Sequence, residues 1–217
     1  MKGVSIVAAL LLGLLAAGCG DDKNNHDHNI PDGLYISKCI DSDIVNAISL
    51  NRDQLLSISI KYTPTDEQKE CGSVSLASFA ILKIRTKDER ELDNGRKISL
   101  MDTKLKKFFI VLYTQSMVDI FNSSKGYEEL TFKVGEYTDI SFLLENNLSL
   151  PKTRTSIVTY ADNSYIEIVS TDTNKSMDDI VDINGSITDT IDSNKSMSYF
   201  INHKDNALLR AIEERFN

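Results

Sequence analysis

The chain has 217 residues, a formal net charge of −8 and 41% hydrophobic residues, a composition of ordinary globular proteins and not of disordered ones. The acidic balance argues against nucleic-acid binding, which needs a basic surface. Trp is absent, and after the first residues no apolar run approaches transmembrane length.

Residues 1–18 have the three parts of a secretory signal. Lys2 supplies the positive start, Val4–Leu15 an uncharged apolar run, and Ala16, Ala17 and Gly18 the small residues before a cut. An apolar helix of this length spans roughly 20 Å, short of the ~30 Å hydrocarbon core, so a permanent transmembrane helix is the weaker reading. Leu15-Ala16-Ala17-Gly18-Cys19 resembles the lipobox of bacterial lipoproteins, with Ala16 where that family most often has Leu. The resemblance implies that the Cys19 sulfur receives a diacylglyceryl group and that cleavage leaves Cys19 as the first residue, its amine acylated as well. It implies a lipid anchor in the bacterial cell envelope. Gly20, and not Asp, follows Cys19, which by the same likeness favours the outer membrane. Loss of the signal, whose one charge is Lys2, takes the net charge from −8 to −9. Anionic head groups repel such a body as a whole, so the acyl chains on Cys19 are the expected membrane contact.

The organisation expected is a signal over 1–18, a lipidated tether over 19–32 and one β-rich domain over 33–217. The tether is polar, lacks apolar periodicity and ends near Pro31. Its His26-Asp27-His28 is the only histidine pair. Three successive residues on a spacer lack the surroundings that fix metal ligands, so they read as solvated chain and no metal is expected. With Cys19 acylated, Cys39 and Cys71 remain. Export delivers them to an oxidising compartment, where such a pair reads as a disulfide contributing roughly 3.5 kcal/mol.

From Gly33 onward the pattern favours strands. Leu34–Cys39 opens the body. Leu56, Ile58, Ile60 and Tyr62 alternate with Ser57, Ser59 and Lys61, the period of a half-buried antiparallel strand. Val74–Arg85 predicts a long central strand, Asp93-Asn94-Gly95 a hairpin turn, and Phe108–Thr114 a buried strand. Gln115–Phe121 predicts a short helix capped by Thr114 or Ser116. Leu130–Val134, Tyr137–Leu144, Ser156–Tyr160 and Tyr165–Ser170 predict further strands, with a turn at Asp162-Asn163. Asn206–Phe216 predicts an amphipathic helix, capped by Asp205, with Leu208, Ala211, Ile212 and Phe216 on one face. Asp172–Met177 and Asp192–Met197 echo each other twenty residues apart. They read as two polar hairpin loops on one side of a sheet, since the Asp-x-Asn start lacks the Gly and distal Glu of a calcium loop. The fold expected is mainly β: an antiparallel barrel or twisted sandwich with a short C-terminal helix.

No catalytic pattern stands out. His203 is the one histidine of the body, and no Gly-x-Ser-x-Gly elbow, glycine-rich phosphate loop, His-Glu-x-x-His or Cys-x-x-Cys occurs. Carboxylates such as Asp66-Glu67 and Asp178-Asp179 fall in expected turns. Gly33, Tyr35 and Cys39, then Asn122-Ser123 and Val134-Gly135, resemble a pattern of two-cysteine, lipocalin-like bacterial lipoproteins, with Tyr35 in place of a Trp. The resemblance implies a barrel but carries no site residues. The expectation is a non-catalytic binding module, without cofactor, for a lipid or cell-wall fragment. The alternative is a structural lipoprotein that docks on an envelope protein, and the least favoured reading is a carboxylate-based hydrolase.

Overall fold

A computed structural model describes residues 30–39, 43–51, 53–63, 71–146, 154–161, 165–171, 176–182, 184–186, 196–201 and 214–215. Nine strands are described. They are β1 (Gly33–Ile36), β2 (Ile44–Asn51), β3 (Gln54–Thr63), β4 (Ser73–Glu91), β5 (Lys97–Leu112), β6 (Tyr137–Asp139), β7 (Arg154–Tyr160), β8 (Tyr165–Thr171) and β9 (Ser196–Ile201). Two short helices join them, α1 (Gln115–Asn122) and α2 (Ser141–Asn146), with a 3-10 turn over Met177–Asp179. The strands pair in the order β4-β3-β2-β1-β9-β8-β7-β5, and β5 pairs back onto β4. The expected β fold is borne out: one antiparallel sheet curls into a nearly closed barrel. Its thinnest seam is β1 against β9, where two residue pairs meet. The short β6 lies beside β5 at Phe109–Val111, leaving Lys97–Thr103 of β5 to β7.

One apolar cluster draws on β1, β2, β3, β4, β5, β7 and β8 together, including Tyr35, Ile48, Leu55, Leu82, Phe108, Val158 and Ile166. Side chains from all round a ring of strands can meet only inside it. The alternate positions form two other clusters, one on β2–β5 around Leu56, Ile58, Ile60 and Phe79, the other around Ile98, Leu100, Ile157 and Val169. These lie on the outer face. Met177, Ile180 and Val181 pack on the second of them. Arg90 of β4 ties that segment down through an ion pair to Asp178.

Two bulges reset the alternation. Ile81 lies opposite Lys107 and Leu82 opposite Leu105, which leaves Lys106 as the extra residue of β5. Lys87 is the extra residue of β4, between the pairs of Thr86 and Asp88. Each insertion moves the residues after it to the other face.

The lower end of the barrel is closed by α1 and the segment after it. Val118, Phe121, Phe132 and Ile140 join the inner cluster there. Thr114 caps α1, its side chain accepting from the Met117 N–H, as the sequence predicted. The predicted strand over Leu130–Val134 is absent apart from one bridge between Leu112 and Val134. The side chain of Asn122 occupies both backbone groups of Phe132 instead: Nδ2 donates to its carbonyl at 3.1 Å, and Oδ1 accepts from its N–H at 2.9 Å. Those are the groups a ladder would need. The predicted strand over Tyr137–Leu144 stops at Asp139, because the Asp139 carboxylate accepts from the N–H of Ser141 and starts α2. The Asn94-Gly95 hairpin is as predicted, with Gly95 at φ 75° and its N–H donating to the Leu92 carbonyl.

Two further expectations change. The echo does not give two like loops, as far as it is described. Ser176-Met177 begins a 3-10 turn closed by a reciprocal Ser176–Asp179 cap, whereas Ser196-Met197 begins a strand. Residues 172–175 and 192–195, the Asp162-Asn163 turn and most of the predicted C-terminal helix lie outside the described residues. Glu214 and Arg215 of that helix are described and are helical.

Candidate functional site

The expected alternation of β3 is present, but inverted with respect to the barrel. Leu56, Ile58 and Ile60 face the outer cluster. Ser57 and Ser59, in the inward register with Leu55, are 2% and 1% exposed. A half-buried strand would have left its serines in water; here both faces are covered.

Between Ile48, Leu55, Leu76 and Leu82, the inner face of β2, β3 and β4 therefore carries a band of small or polar side chains. Asn46 lies opposite Ser59, Ser59 opposite Ser78, and Ser57 opposite Ala80. All are buried. Among the described residues the hydroxyl of Ser78 finds no hydrogen-bond partner, nor does that of Thr86 further along the same inner face. A buried hydroxyl left unpaired costs about 1–3 kcal/mol. Larger groups flank this band on the neighbouring strands: Ile110 lies directly opposite Ser78 and Phe108 opposite Ala80 on β5, and Tyr35 lies opposite Ile48 on β1.

A polar group marks the upper end. Glu89 accepts from Tyr160 Oη at 2.5 Å and from Ser99 Oγ at 3.1 Å, and Lys97 Nζ lies 3.8 Å from its other oxygen. Burial, followed by the bond to Glu89, raises the Tyr160 pKa well above the ordinary 10.0. Tyr160 is thus held protonated as a donor and cannot serve as a base near neutral pH. The chain enters the barrel at this same end. Ile30 is 2% exposed within the inner cluster, and the Pro31 carbonyl accepts from Tyr35 Oη at 3.0 Å.

Of the residues singled out in the sequence, Cys39 and Cys71 are joined, with Cα atoms 6.2 Å apart. Their bond links the segment after β1 to the start of β4 at the lower end. Gly33 backs onto the Tyr35 ring, where an added Cβ would lie 3.4 Å from Cε2. Tyr35 is fully buried. Asn122 and Gly135 hold the lower plug: the Gly135 N–H donates to the Leu112 carbonyl at 2.8 Å. Cys19, His26, His28, His203 and the Asp66-Glu67 pair lie outside the described residues. Asp178 is 80% exposed and engaged with Arg90, and Asp179 caps the 3-10 turn. Among the described residues no three His, Cys, Asp or Glu side chains gather as metal ligands, and no helix is long and apolar enough to cross a membrane.

The serine-lined wall escaped the sequence reading. Its signal was present in the Ser57/Ser59 alternation and in Ser78, but periodicity does not say which face is inside. No family model and no curated protein matches this chain.

Proposed function

We propose that the chain is a lipid-anchored protein of the bacterial envelope, in the outer membrane, whose barrel holds a small amphiphile without transforming it. The observation that carries this reading is the Ser78 hydroxyl, 2% exposed and without a partner among the described residues, in a row with Ser59 and Asn46 on the inner face. Buried polar groups in folded proteins find partners, and an orphan on an inner wall is met by a guest or a water. Such a wall suits a slim guest: an acyl chain bearing a neutral hydrogen-bonding head, from a lipid or a cell-wall fragment. The lipobox around Cys19 supports the anchor.

Native mass spectrometry of protein gently extracted from its own membranes tests both parts. The expected species carries acyl chains on Cys19 and a further non-covalent mass of a few hundred daltons. A bare polypeptide after gentle extraction would overturn the guest. An unmodified Cys19 would overturn the anchor. A second reading, docking on an envelope protein, draws on Ile120 and Val134, which are 42% and 48% exposed at the plugged end. Crosslinking in the intact envelope supports it if a single partner is joined through that end.

A further inference from the structure

The acidic chain carries a concentrated basic patch on the outer wall of β4 and β5. Lys83 stands directly opposite Lys104, and Arg85 lies next along β4 on the same face. The bulge at Lys106 turns both Lys106 and Lys107 to the outside. All five are exposed. Lys83, Arg85, Lys106 and Lys107 make no ion pair with any described residue. Asp102, the acid opposite Arg85, is taken by Lys87 at 2.9 Å and by the Thr155 hydroxyl at 2.7 Å. Like charges directly opposite across two strands oppose folding. The bulge places a fourth and a fifth cation beside such a pair, so the arrangement works against stability and calls for an anionic counterpart.

We infer that this patch docks the barrel, side on, against the anionic phospholipid head groups of the bilayer. The inference rests on the proposed anchor at Cys19. Residues 20–29 extend at most about 35 Å, so an anchored barrel stays close to that surface throughout. Each Lys or Arg near an anionic surface strengthens attachment roughly fivefold, and the gain dies away within a Debye length. The repulsion expected from the charge of −9 that remains without Lys2 is thus overcome locally, because the positive charges are gathered on one wall.

The test is lysine-acylation footprinting of the full chain. It is reconstituted in vesicles of neutral phosphatidylcholine or of phosphatidylcholine with about a third phosphatidylglycerol. Lys125 and Lys133, exposed near the plugged end, serve as internal references. Labelling of Lys83, Lys106 and Lys107 is expected to fall at least fivefold on the anionic vesicles and to recover in high salt. Labelling equal to the references on both vesicles would overturn the inference, as would protection on neutral vesicles. Protection by inorganic phosphate without vesicles would assign the patch to a free anion and overturn docking. Protection in envelope extracts but not on anionic vesicles would point to an acidic protein and do the same. Flotation of the protein with both vesicle types separates the two claims: failure to float strikes at the anchor, and floating without protection strikes at the patch.

Discussion

Single side chains set three measurable properties. Asn122 satisfies both backbone groups of Phe132 and thereby holds the plug against the barrel. Asn122→Ala is expected to cost about 2 kcal/mol in urea unfolding, because two partly buried backbone groups lose their partner. An unchanged midpoint would show that water replaces the amide. Ser78→Ala should leave the ligand-free protein as stable or up to about 1 kcal/mol more stable, since it removes a hydroxyl that no described residue satisfies; a clear loss would reveal a partner inside. Tyr160 contributes to alkaline behaviour, as do the other tyrosines whose pKa burial raises. Its folded-state pKa is raised, so the folded protein keeps a phenol proton that the unfolded chain releases near 10.0. The resulting stability is present below pH 10.0 and is lost as pH rises through that value towards the folded-state pKa. Denaturation midpoints measured across that range should drop more steeply in the native protein than in Tyr160→Phe. Parallel slopes would show that Tyr160 is not the group responsible.

Among the elements, the β4–β5 hairpin has the most demanding surroundings. The segment after the 3-10 turn leans on its loop: the Asp93 N–H donates to the Gly185 carbonyl at 3.2 Å, and Ser186 Oγ donates to Asp93 at 3.1 Å. Gly185 has φ 82°, and a Cβ there would meet the Asp93 nitrogen at 2.8 Å. Gly185→Ala therefore combines a left-handed backbone with a clash against main chain, and a loss of at least ~2 kcal/mol is expected. Hydrogen exchange should quicken first in the Asp93–Arg96 loop; uniform exchange changes would count against a local contact. The same region shows how alternation misleads. Lys87 and Lys106 each insert one residue, so the inward parity of β4 and β5 switches partway along both strands. No hydrophobic pattern announces such a switch, because Lys-Lys pairs also occur on ordinary exposed edges. The strands β2 and β9 and the first half of β5 went unpredicted for related reasons: β2 and β9 mix Ser or Asn among their apolar residues, and Asp102, Lys104 and Lys106 interrupt β5.

At the scale of the molecule, the ring of strands pairs the long edges that an open sheet would leave for aggregation. Its weakest link is the two-pair seam between β1 and β9. The Cys39–Cys71 bond fixes the segment after β1 to the start of β4, holding the short strand near its place in the ring. Replacing either cysteine with serine should cost about 3–4 kcal/mol on the chain-entropy estimate and lower the melting temperature. Two reactive thiols in denatured, unreduced protein, or an unshifted melting curve, would sink this account. The outer cluster on β2–β5 is also closed over, with Arg215 stacked 4.1 Å from the centroid of Tyr137 at its border. That contact brings Arg215 to the outer face that carries Leu56, Ile58 and Ile60 of β3.

The residues alone determined the class of fold, the cysteine pair, the cap of α1 and the Asn94-Gly95 turn, because each depends on local geometry or on which thiols remain. They also supplied the stretch around Cys19 that resembles a lipobox, from which the anchor is proposed. Tertiary structure decided which face of each strand is inside, since a period of two is blind to the direction of curvature and two bulges reverse it midway. It alone gathered scattered cations onto one wall of an acidic chain, because Lys83 and Arg85 meet Lys104, Lys106 and Lys107 only through the pairing of β4 with β5.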